Sequence, residues 1–425
     1  MALLEFVWKD CLEWSYESLE EFYANLLGFS EPWEVLEIIR DGNTREVKVF
    51  VVYAEGERPP CPVCGKAMPI HDRKTRSWRH LDSFNHKTII TAEIPRTDCP
   101  EHGVLQIPVP WAERNSRFAM ELERQVCLWL KTTSISEVGF MFDLSWDEVA
   151  GIQERAVNRG LVRRRKRKPK AIGVDEVSFQ KRHEYVTVVL DKDRDAVLDV
   201  LDDRKAETLD TWFKTQEMAD FKGLVSISMD MWDPFIKAVR DNFEKWEDLI
   251  AFDRYHVAQH FNKALDKVRS EENRQLIAAN GESVLTGTKF DWLRNSGKTD
   301  NRSGDRPEFM RLSRLNLKTA RAWSIKETAA ALWDFAYISV AKKRWKELLG
   351  WISRSKLEPV IKVGKMIRSY FWGIVNAIEL KVNNAMLEAK NLGIQMIKRM
   401  ARGFRNRKRF RMAILFHFGE LDMEF

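Results

Sequence analysis

Two apolar runs near the middle of the chain each lead to an aspartate. The segment AIGVDEVSF reaches Asp175 and the segment LVSISMD reaches Asp230. Short apolar runs of this kind predict buried strands, and acids at the ends of such strands project into the crevice where α/β domains bind ligands. Aspartate also ends strands simply because it favours turns, so each residue alone is weak evidence. Together the two runs predict an α/β domain with an acidic crevice.

A third acid, Glu388, lies in a segment with helical periodicity, NNAMLEAKNLGIQMIKR. Its polar neighbours recur at steps of three and four residues, which places them on one face of a helix. The acid lies at one end of this face and basic residues lie at the other. The members of this stripe are Glu388, Asn391, Gln395, Lys398 and Arg402. The residues predicted to pack on a sheet from the opposite face are Met386, Ala389, Gly393, Ile397 and Met400. A solvated helix face explains such a stripe equally well, and the acids that compete with Glu388 nearby are Glu379, Glu358 and Glu327.

Three acids in these settings suit metal-dependent phosphoryl transfer. If the chain brings Asp175, Asp230 and Glu388 together, their oxygens can hold two Mg²⁺ or Mn²⁺ ions that activate an attacking oxygen and stabilise a leaving one. The triad therefore predicts a catalytic site, with each acid as a metal ligand.

The roles of two further groups of residues stay open. Asp253, His256 and His260 in FDRYHVAQH share one helical side. They are either a metal site or structural hydrogen-bond partners. Tryptophans that could stack on extruded bases, or simply fill the core, are Trp232, Trp292, Trp323 and Trp333.

The positive charge of the chain is concentrated in two segments. RRRKRKPK at 163–170 carries seven positive charges, and residues 394–411 carry eight without an acid, although the whole chain has a net charge of only +7. Concentrated charge of this kind binds a polyanion through counterion release, whereas one isolated run is often a solvated face. The predicted DNA-binding residues are Arg163, Arg164, Arg165, Lys166, Arg167, Lys168, Lys398, Arg399, Arg402 and Arg405.

Length and composition set the remaining limits. A chain of 425 residues with 44% hydrophobic residues can form several domains with real cores. It contains no apolar stretch long enough to span a membrane, and its first residues do not resemble a signal peptide. Its five cysteines are an odd number, which fits metal ligation better than a disulfide framework. We therefore expect a cytoplasmic, nucleoid-associated protein.

Two cysteine-containing pairs predict a structural zinc site. Cys61 and Cys64 form the first pair, Cys99 and His102 form the second, and a glycine follows each pair. Four ligands of this type suit a closed tetrahedral Zn²⁺ site. The alternative is that the cysteines are simply buried, and the histidines between the pairs that could replace a ligand are His71, His80 and His86. We prefer His102 for its spacing and interpret His80 as structural.

A helical segment follows the zinc ligands. Ser134 or Ser136 and Ser145 are predicted to begin two helices, and Glu148 completes a capping box with Ser145. Such a pair could place its second helix, near Trp146 to Ala156, in a DNA major groove. A structural scaffold remains the alternative, because that helix carries more acid than base.

The order of the predicted elements indicates an α/β plus α fold. Three strands followed by alternating helices and strands match a ribonuclease H-like domain. The predicted domains are an N-terminal helix and β-hairpin at 1–60, a zinc-binding module at 61–110, a helix-turn-helix domain at 111–162, a basic linker at 163–170, a ribonuclease H-like domain at 171–264 and 371–425, and a long helical insertion at 265–370.

At these residues the chain resembles the ISL3 family of bacterial insertion-sequence transposases over nearly its whole length. CPVCG, SWRHLD and PRTDCPEHGV are similar to the family's zinc-finger segment, and IGVDEVSF to its first-aspartate strand. SMDMWDPFIKAVRDNF and FDRYHVAQHFNKALDKVR resemble its second-aspartate block, and LTGTKFDWLRN and LKTARAWSIKE resemble its helical insertion. The last block, NNAMLEAKNLGIQMIKRMARGFRNRKRF, aligns the family's glutamate with Glu388, although Ala389 replaces its usual following glycine.

This resemblance implies a transposase whose DDE triad is Asp175, Asp230 and Glu388. It would bind the terminal inverted repeats of its own element as a dimer or larger synaptic assembly, and would cut and join double-stranded DNA. Two alternatives remain: a DNA-binding regulator with an inactive nuclease fold, and a structure-specific nuclease without joining activity.

Overall fold

A computed structural model describes residues 18–180, 184–294, 306–382 and 385–425. The chain divides into two compact units, one formed by residues 1–156 and 423–425 and the other by residues 157–422. In the part of the chain that the structure describes, no helix has both the length and the apolar character needed to cross a membrane. The predicted N-terminal helix lies partly outside the described residues.

The first unit contains a five-stranded sheet followed by two helices and the first part of a third, which continues into the second unit. Strands β1 and β2 form the predicted antiparallel hairpin, β2 pairs with β4 in parallel, and β4 pairs with β3 and β5 in antiparallel fashion. Trp111 packs edge-on against Trp33 and Trp78, with ring centroids 4.9 and 5.5 Å away. The elements are α1 Leu19–Leu26, β1 Trp33–Asp41, β2 Glu46–Tyr53, β3 Ile70–Arg79, β4 Lys87–Cys99, β5 Gly103–Gln106, α2 Met120–Leu130, α3 Ile135–Phe142 and α4 Trp146–Arg163.

Helices α3 and α4 each begin with a capping box, which was predicted at Ser145, and of the two candidates for the start of α3 the structure selects Ser134. Ser134 accepts a hydrogen bond from the backbone of Glu137, and Ser145 accepts one from the backbone of Glu148. Each glutamate accepts a hydrogen bond from the backbone N–H of its serine in return. Gly139 permits the tight turn between the two helices, since a Cβ there would lie 2.7 Å from the carbonyl oxygen of Leu144.

The second unit is built on a mixed five-stranded sheet of order β10-β9-β6-β7-β8. Strands β6, β9 and β10 are parallel, and β7 and β8 extend the sheet in antiparallel pairs. Helix α14 packs against β10, α15 against β6 and α16 against β8. The elements up to the last strand are β6 Ala171–Gln180, β7 Glu184–Asp191, β8 Ala196–Leu201, α5 Ala206–Thr215, a 3-10 turn at Met218–Phe221, β9 Ser226–Met229, α6 Asp233–Asn242, α7 Trp246–Leu249 and β10 Ile250–Phe252.

The rest of the described chain is helical, as its lack of strand patterns predicts. Helix α8 packs against α9, α11 and α13. The buried carboxylate of Glu272 on α8 accepts backbone hydrogen bonds from Lys318 and Thr319, which satisfies the N-terminus of α11. These elements are α8 Arg254–Asn280, α9 Lys289–Leu293, α10 Arg306–Ser313, α11 Lys318–Ala331, a 3-10 turn at Leu332–Asp334, α12 Ile338–Arg354, α13 Glu358–Ser369, α14 Phe371–Glu379, α15 Ala385–Met400 and α16 Arg407–Phe418.

Candidate functional site

Three aspartates lie at the same level in the sheet, Asp175 on strand β6 and Asp230 and Asp253 directly after the parallel strands β9 and β10. Gly173 of β6 pairs with Ser228 of β9, so Asp175 and Asp230, each two residues further on, are level with one another. Phe252 of β10 pairs with Met229 of β9, so Asp253 and Asp230 are level in the same way. The parallel register therefore brings Asp175 and Asp230 together as predicted and adds Asp253 beside them.

The expectation that Asp175 ends its strand was wrong. Strand β6 continues to Gln180, because its other edge keeps pairing with β7 as far as Glu184. Asp175 instead lies just beyond the last residue of β6 that pairs with β9, Gly173. Its side chain still reaches the crevice, where it lies near His256 and accepts a hydrogen bond from Asn391.

His256 connects the three aspartates. Asp253 caps helix α8 by accepting a hydrogen bond from the backbone of Tyr255 at 2.8 Å, and this cap places His256 in the first turn. His256 Nδ1 lies 3.3 Å from Asp230 Oδ2, and its Nε2 lies 3.7 Å from Asp175 Oδ1 and 3.8 Å from Asp253 Oδ2. The DRYH segment thus belongs to the acid cluster and is not a separate group.

Burial makes the negative charge on Asp175 electrostatically costly. Desolvation raises the pKa of Asp175 to about 6, although the charge of His256 and hydrogen bonds from the Glu176 N–H and Asn391 oppose the shift. Burial also raises the pKa of the adjacent Glu176 and lowers that of His260. A hard divalent cation would relieve this cost, and carboxylate oxygens are the ligands it prefers.

A buried lysine lies beneath the cluster. Lys192, with 8% of its surface exposed, donates from Nζ to Ser228 Oγ at 3.2 Å. Desolvation lowers the pKa of Lys192 to about 8, and the negative charge of Asp253 opposes that shift. The site therefore holds one buried cation of the protein's own.

Helix α15 covers strand β6 and contacts the cluster. Leu387 packs on Gly173, where a Cβ would lie 3.4 Å from the leucine, and Asn391 Nδ2 donates to Asp175 Oδ2 at 2.6 Å. Lys398 Nζ donates to the carbonyl oxygen of Ser178 at 2.7 Å. These contacts, together with the buried Ile394, define the face of α15 that meets the sheet.

The prediction of which face of α15 packs on the sheet was wrong in part. Met386 and Met400 are exposed at 36% and 43%, and Gly393 meets Phe418 of α16, where a Cβ would lie 2.6 Å from the ring. The polar residues Asn391 and Lys398 face the sheet instead, because each has a hydrogen-bond acceptor there.

Glu388 stands at the rim of the cluster. Its side chain is exposed, and it borders a cavity of about 1210 Å³ that Asp253 and Glu379 also line. Among the described residues, the ligand atoms of Asp175, Asp230 and Glu388 do not gather within 4.8 Å of one another. Glu388 lies one helical turn before Asn391, which contacts Asp175, and so the acid borders the same crevice.

The predicted DNA-binding residues fall into two groups. Lys398 contacts Ser178, Arg163 pairs with Asp422, Lys166 with Glu217 and Arg167 with Glu420, and Arg164 donates to the carbonyl oxygen of Leu198. The other predicted residues have exposed side chains, and they are Arg165, Lys168, Arg399, Arg402 and Arg405. Arg163 and Lys166 are exposed as well, so the first group differs from the second by the partners just named and not by burial alone.

In the first unit, the four predicted zinc ligands form one cluster. The Sγ atoms of Cys61, Cys64 and Cys99 and Nδ1 of His102 all lie within 4.8 Å of one another. Cys99 Sγ is 3.4 Å from His102 Nδ1, and Cys64 Sγ is 3.9 Å from Cys99 Sγ. The backbone N–H groups of Cys64 and Val63 lower the pKa of the Cys61 thiol to about 7, which favours the thiolate that binds metal. The donor set suits a structural zinc ion.

The glycines after the two pairs shape this cluster. Gly65 and Gly103 have φ of +72° and +71°, a left-handed conformation that glycine adopts without strain. His80, by contrast, is buried and lies 3.7 Å from Glu121 through its Nε2, which agrees with the structural role predicted for it.

Sequence reasoning left open the roles of Asp253 and His256 and did not connect Asn391 with Asp175. A signal for Asp253 was present, because IAFD repeats the pattern of SISMD: a short apolar run that leads directly into an aspartate. No local signal marks Asn391, since its partner is distant in sequence.

Comparison with known proteins identifies the family of the chain. A family model described as a transposase, of the ISL3 DDE type, matches residues 172–414, and a model described as the zinc-finger of transposase IS204/IS1001/IS1096/IS1165 matches residues 57–102. The chain is 24% identical over 383 residues to the transposase for insertion sequence element IS1557 of Mycobacterium tuberculosis, covering 81% of this chain and 82% of that protein. It is 22% identical over 361 residues to the transposase for insertion sequence element IS1001 of Bordetella parapertussis, covering 83% and 87% respectively. The chain therefore belongs to the ISL3 family of DDE transposases, a family of DNA-processing enzymes.

Proposed function

We propose that this transposase cuts DNA at the ends of its insertion sequence and joins the freed ends to target DNA. The observation that carries the proposal is the row of aspartates at one sheet edge, with Asp175 and Asp230 on adjacent parallel strands and both in contact with His256. The strand order, with three antiparallel strands beside two parallel ones, supports a ribonuclease H-like fold for this unit.

The carboxylate oxygens of the three acids are of the type that Mg²⁺ prefers, and they would hold a pair of these ions. Asp175 and Asp230 would supply carboxylate oxygens from the sheet, and Glu388 would supply one from α15. When bound, the ions would lower the pKa of an attacking water and stabilise the charge on the leaving oxygen. His256 and Asn391 would orient the aspartates, because each contacts a carboxylate directly. The freed 3′ hydroxyl would take the place of water in the second transfer, to target DNA.

The zinc cluster and helices α3 and α4 would recognise the terminal inverted repeats. We interpret the two capped helices and their tight turn as a helix-turn-helix whose second helix enters the major groove. Exposed basic residues such as Arg165, Lys168, Arg399 and Arg402 would bind phosphates. Because an element has two ends, we expect a dimer or larger assembly that holds both.

The test is cleavage of a labelled duplex that carries the terminal repeat bordering the gene. Wild type in Mg²⁺ should nick this duplex and join it to a second DNA. Asp230→Asn should bind the duplex and do neither. Asp248→Asn, which alters an exposed aspartate on α7, serves as the matched control and should behave as wild type.

Each of the other possible outcomes would support a different conclusion. Binding without nicking by wild type would support the regulator, and nicking without joining would support the structure-specific nuclease. Nicking by Asp230→Asn at the wild-type rate would remove the aspartate row from the mechanism.

A further inference from the structure

An arginine is held between two aromatic rings beside the acid cluster. The Arg204 guanidinium lies 4.7 Å from the ring centre of Tyr185 and 4.9 Å from that of Trp232. Cation–π contacts at these distances are attractive, and an arginine between two rings gains from both. We call these three side chains the Arg204 stack.

Hydrogen bonds hold the Arg204 stack in place. Arg204 Nη1 donates to Glu176 Oε2 at 3.1 Å, and Trp232 Nε1 donates to the carbonyl oxygen of Arg204 at 3.4 Å. The backbone N–H of Trp232 donates to the carbonyl oxygen of Asp230 at 2.8 Å. The stack is therefore tied to the residue after Asp175 and to Asp230 itself. Its orientation is set before any ligand arrives.

Trp232 also lines an open cleft with a positive lining. Although Arg204 covers part of the indole, 37% of Trp232 is exposed. The cleft has a volume of about 620 Å³, and its charged lining residues are Arg204, Lys205, Lys237, Arg240, Glu207 and Asp233. Four cations and two acids thus line the cleft, and Asp233 already accepts a hydrogen bond from the Tyr370 hydroxyl at 2.7 Å. Lys205 and Arg240 also pair with Asp203 at 3.5 Å and Asp241 at 3.6 Å, and a phosphate can replace such exposed pairs at little cost.

We propose that this cleft binds one unpaired nucleotide of the DNA strand next to the scissile phosphate. The inference rests on the proposed function, since it takes the aspartate row as the site of cleavage. Basic side chains alone would suit the phosphates of a DNA duplex. An exposed indole beside them suits a nucleobase that has left the helical stack. The base stacks on Trp232, and the phosphates on either side of it meet Lys237 and Arg240. Stacking is tolerant of sequence, so the cleft accepts any base.

Photo-crosslinking locates the bound base. Full-length protein is mixed, in Ca²⁺ to prevent cleavage, with element-end duplexes that carry a single 5-iododeoxyuridine at successive positions on either side of the scissile phosphate. A short single-stranded oligothymidylate with the same base serves as a sequence-independent probe. The crosslinked peptide should contain Trp232 when the probe is the oligothymidylate. It should also contain Trp232 when the label is at one duplex position adjacent to the scissile phosphate. Crosslinks that map elsewhere with both probes would overturn the proposal.

Binding measurements separate stacking from folding. Trp232→Ala should weaken binding of the oligothymidylate about 5- to 100-fold, and Trp232→Phe should restore most of the affinity. The loss should vanish with an abasic oligonucleotide of equal length, because the phosphate contacts remain. Phe290→Ala, which removes an exposed aromatic ring in the helical insertion, should leave both affinities unchanged.

Failure of this inference and failure of the proposed function give different results. If wild type nicks the element end but Trp232→Ala binds oligothymidylate as wild type does, the cleft is not a nucleotide site and the proposed function stands. If Trp232-dependent binding is present but wild type never nicks, the cleft stands and the proposed function fails. An equal loss of binding for the abasic probe would show a general effect of the substitution and would also overturn the inference.

Discussion

Asn391 donates a hydrogen bond to Asp175 across 2.6 Å, although 216 positions of sequence separate the two residues. This bond joins helix α15 to strand β6 at the acid cluster. Because a buried carboxylate needs hydrogen-bond donors to stay ionised and oriented, the amide of Asn391 is part of the support of the site.

Replacing this amide should impair cleavage without impairing DNA binding. We expect Asn391→Leu to lower the rate of nicking about 10- to 100-fold, because Asp175 would lose its fixed orientation. Single-turnover nicking and a gel-shift assay on the same duplex measure the two effects. Leu392→Ala, an exposed neighbour on α15, is the control. A matching loss of affinity in Asn391→Leu would mean that the amide acts on DNA and not on Asp175.

The identity of the third acid can be tested between two glutamates that line one cavity. Glu388→Gln should reduce nicking at least about 10³-fold, as expected for loss of a catalytic metal ligand, while Glu379→Gln should have little effect. Both residues border the cavity that Asp253 also lines, so each substitution controls for the other. The reverse order of effects would assign the role to Glu379.

The zinc cluster should bind one ion per chain and stabilise the first unit. We expect Cys99→Ser to lose the metal and to make the segment around strands β3 to β5 sensitive to protease, because structural zinc sites contribute folding energy directly. Cys127→Ser, a cysteine outside the cluster, should keep both the metal and the resistance. Metal content is measured by a colorimetric zinc assay after denaturation. Full zinc in the Cys99→Ser protein would contradict the ligand set.

The affinity for DNA should fall as salt concentration rises, because exposed basic side chains contact phosphates. Changing Arg399, Arg402 and Arg405 together to alanine should reduce the slope of log affinity against log salt by up to about 3, since each phosphate contact contributes about 0.9. Arg167→Ala should leave that slope unchanged and lower thermal stability instead, because this side chain is 8% exposed and paired with Glu420. Fluorescence anisotropy over a salt series distinguishes the two variants, and equal slopes in all three proteins would contradict the assignment.

The buried Lys192 should make stability depend on alkaline pH. Its pKa is about 8 in the folded chain and 10.5 in the unfolded reference, so between these values the unfolded chain binds more protons. The free energy of unfolding of wild type should therefore rise with pH in this window, by about 2 kcal/mol relative to Lys192→Met. Melting temperatures of both proteins, from neutral pH to about pH 10, measure the difference. Parallel curves would show that Lys192 titrates normally.

Much of the fold follows from local patterns. The alternating and apolar runs before Asp191 and Met229 predict β7 and β9, and the cysteine pairs predict a cluster that the structure brings together. Ser134 and Ser145 predict the starts of α3 and α4, because a capping serine acts on the residues that directly follow it.

What local patterns miss depends on distant partners. Hydrophobic periodicity assigns polar residues to the solvent side of a helix, and so it misplaces Asn391 and Lys398, whose acceptors lie on β6. Asp253 joins the aspartate row only through the register of β9 and β10, and a strand as short as Ile250–Phe252 carries little periodic signal. The same limit hides the Arg204 stack, which unites a strand, a loop and a helix cap.

The late position of α15 has a consequence during protein synthesis. A ribosome must add residue 391 of 425 before Asp175 can gain its amide partner, whereas the zinc ligands are complete by residue 102. Domains fold as they emerge, so a nascent chain can form its zinc-binding region long before its acid cluster is complete. Copies of the gene that are interrupted ahead of α15 would then encode products that keep this region and lack a complete acid cluster.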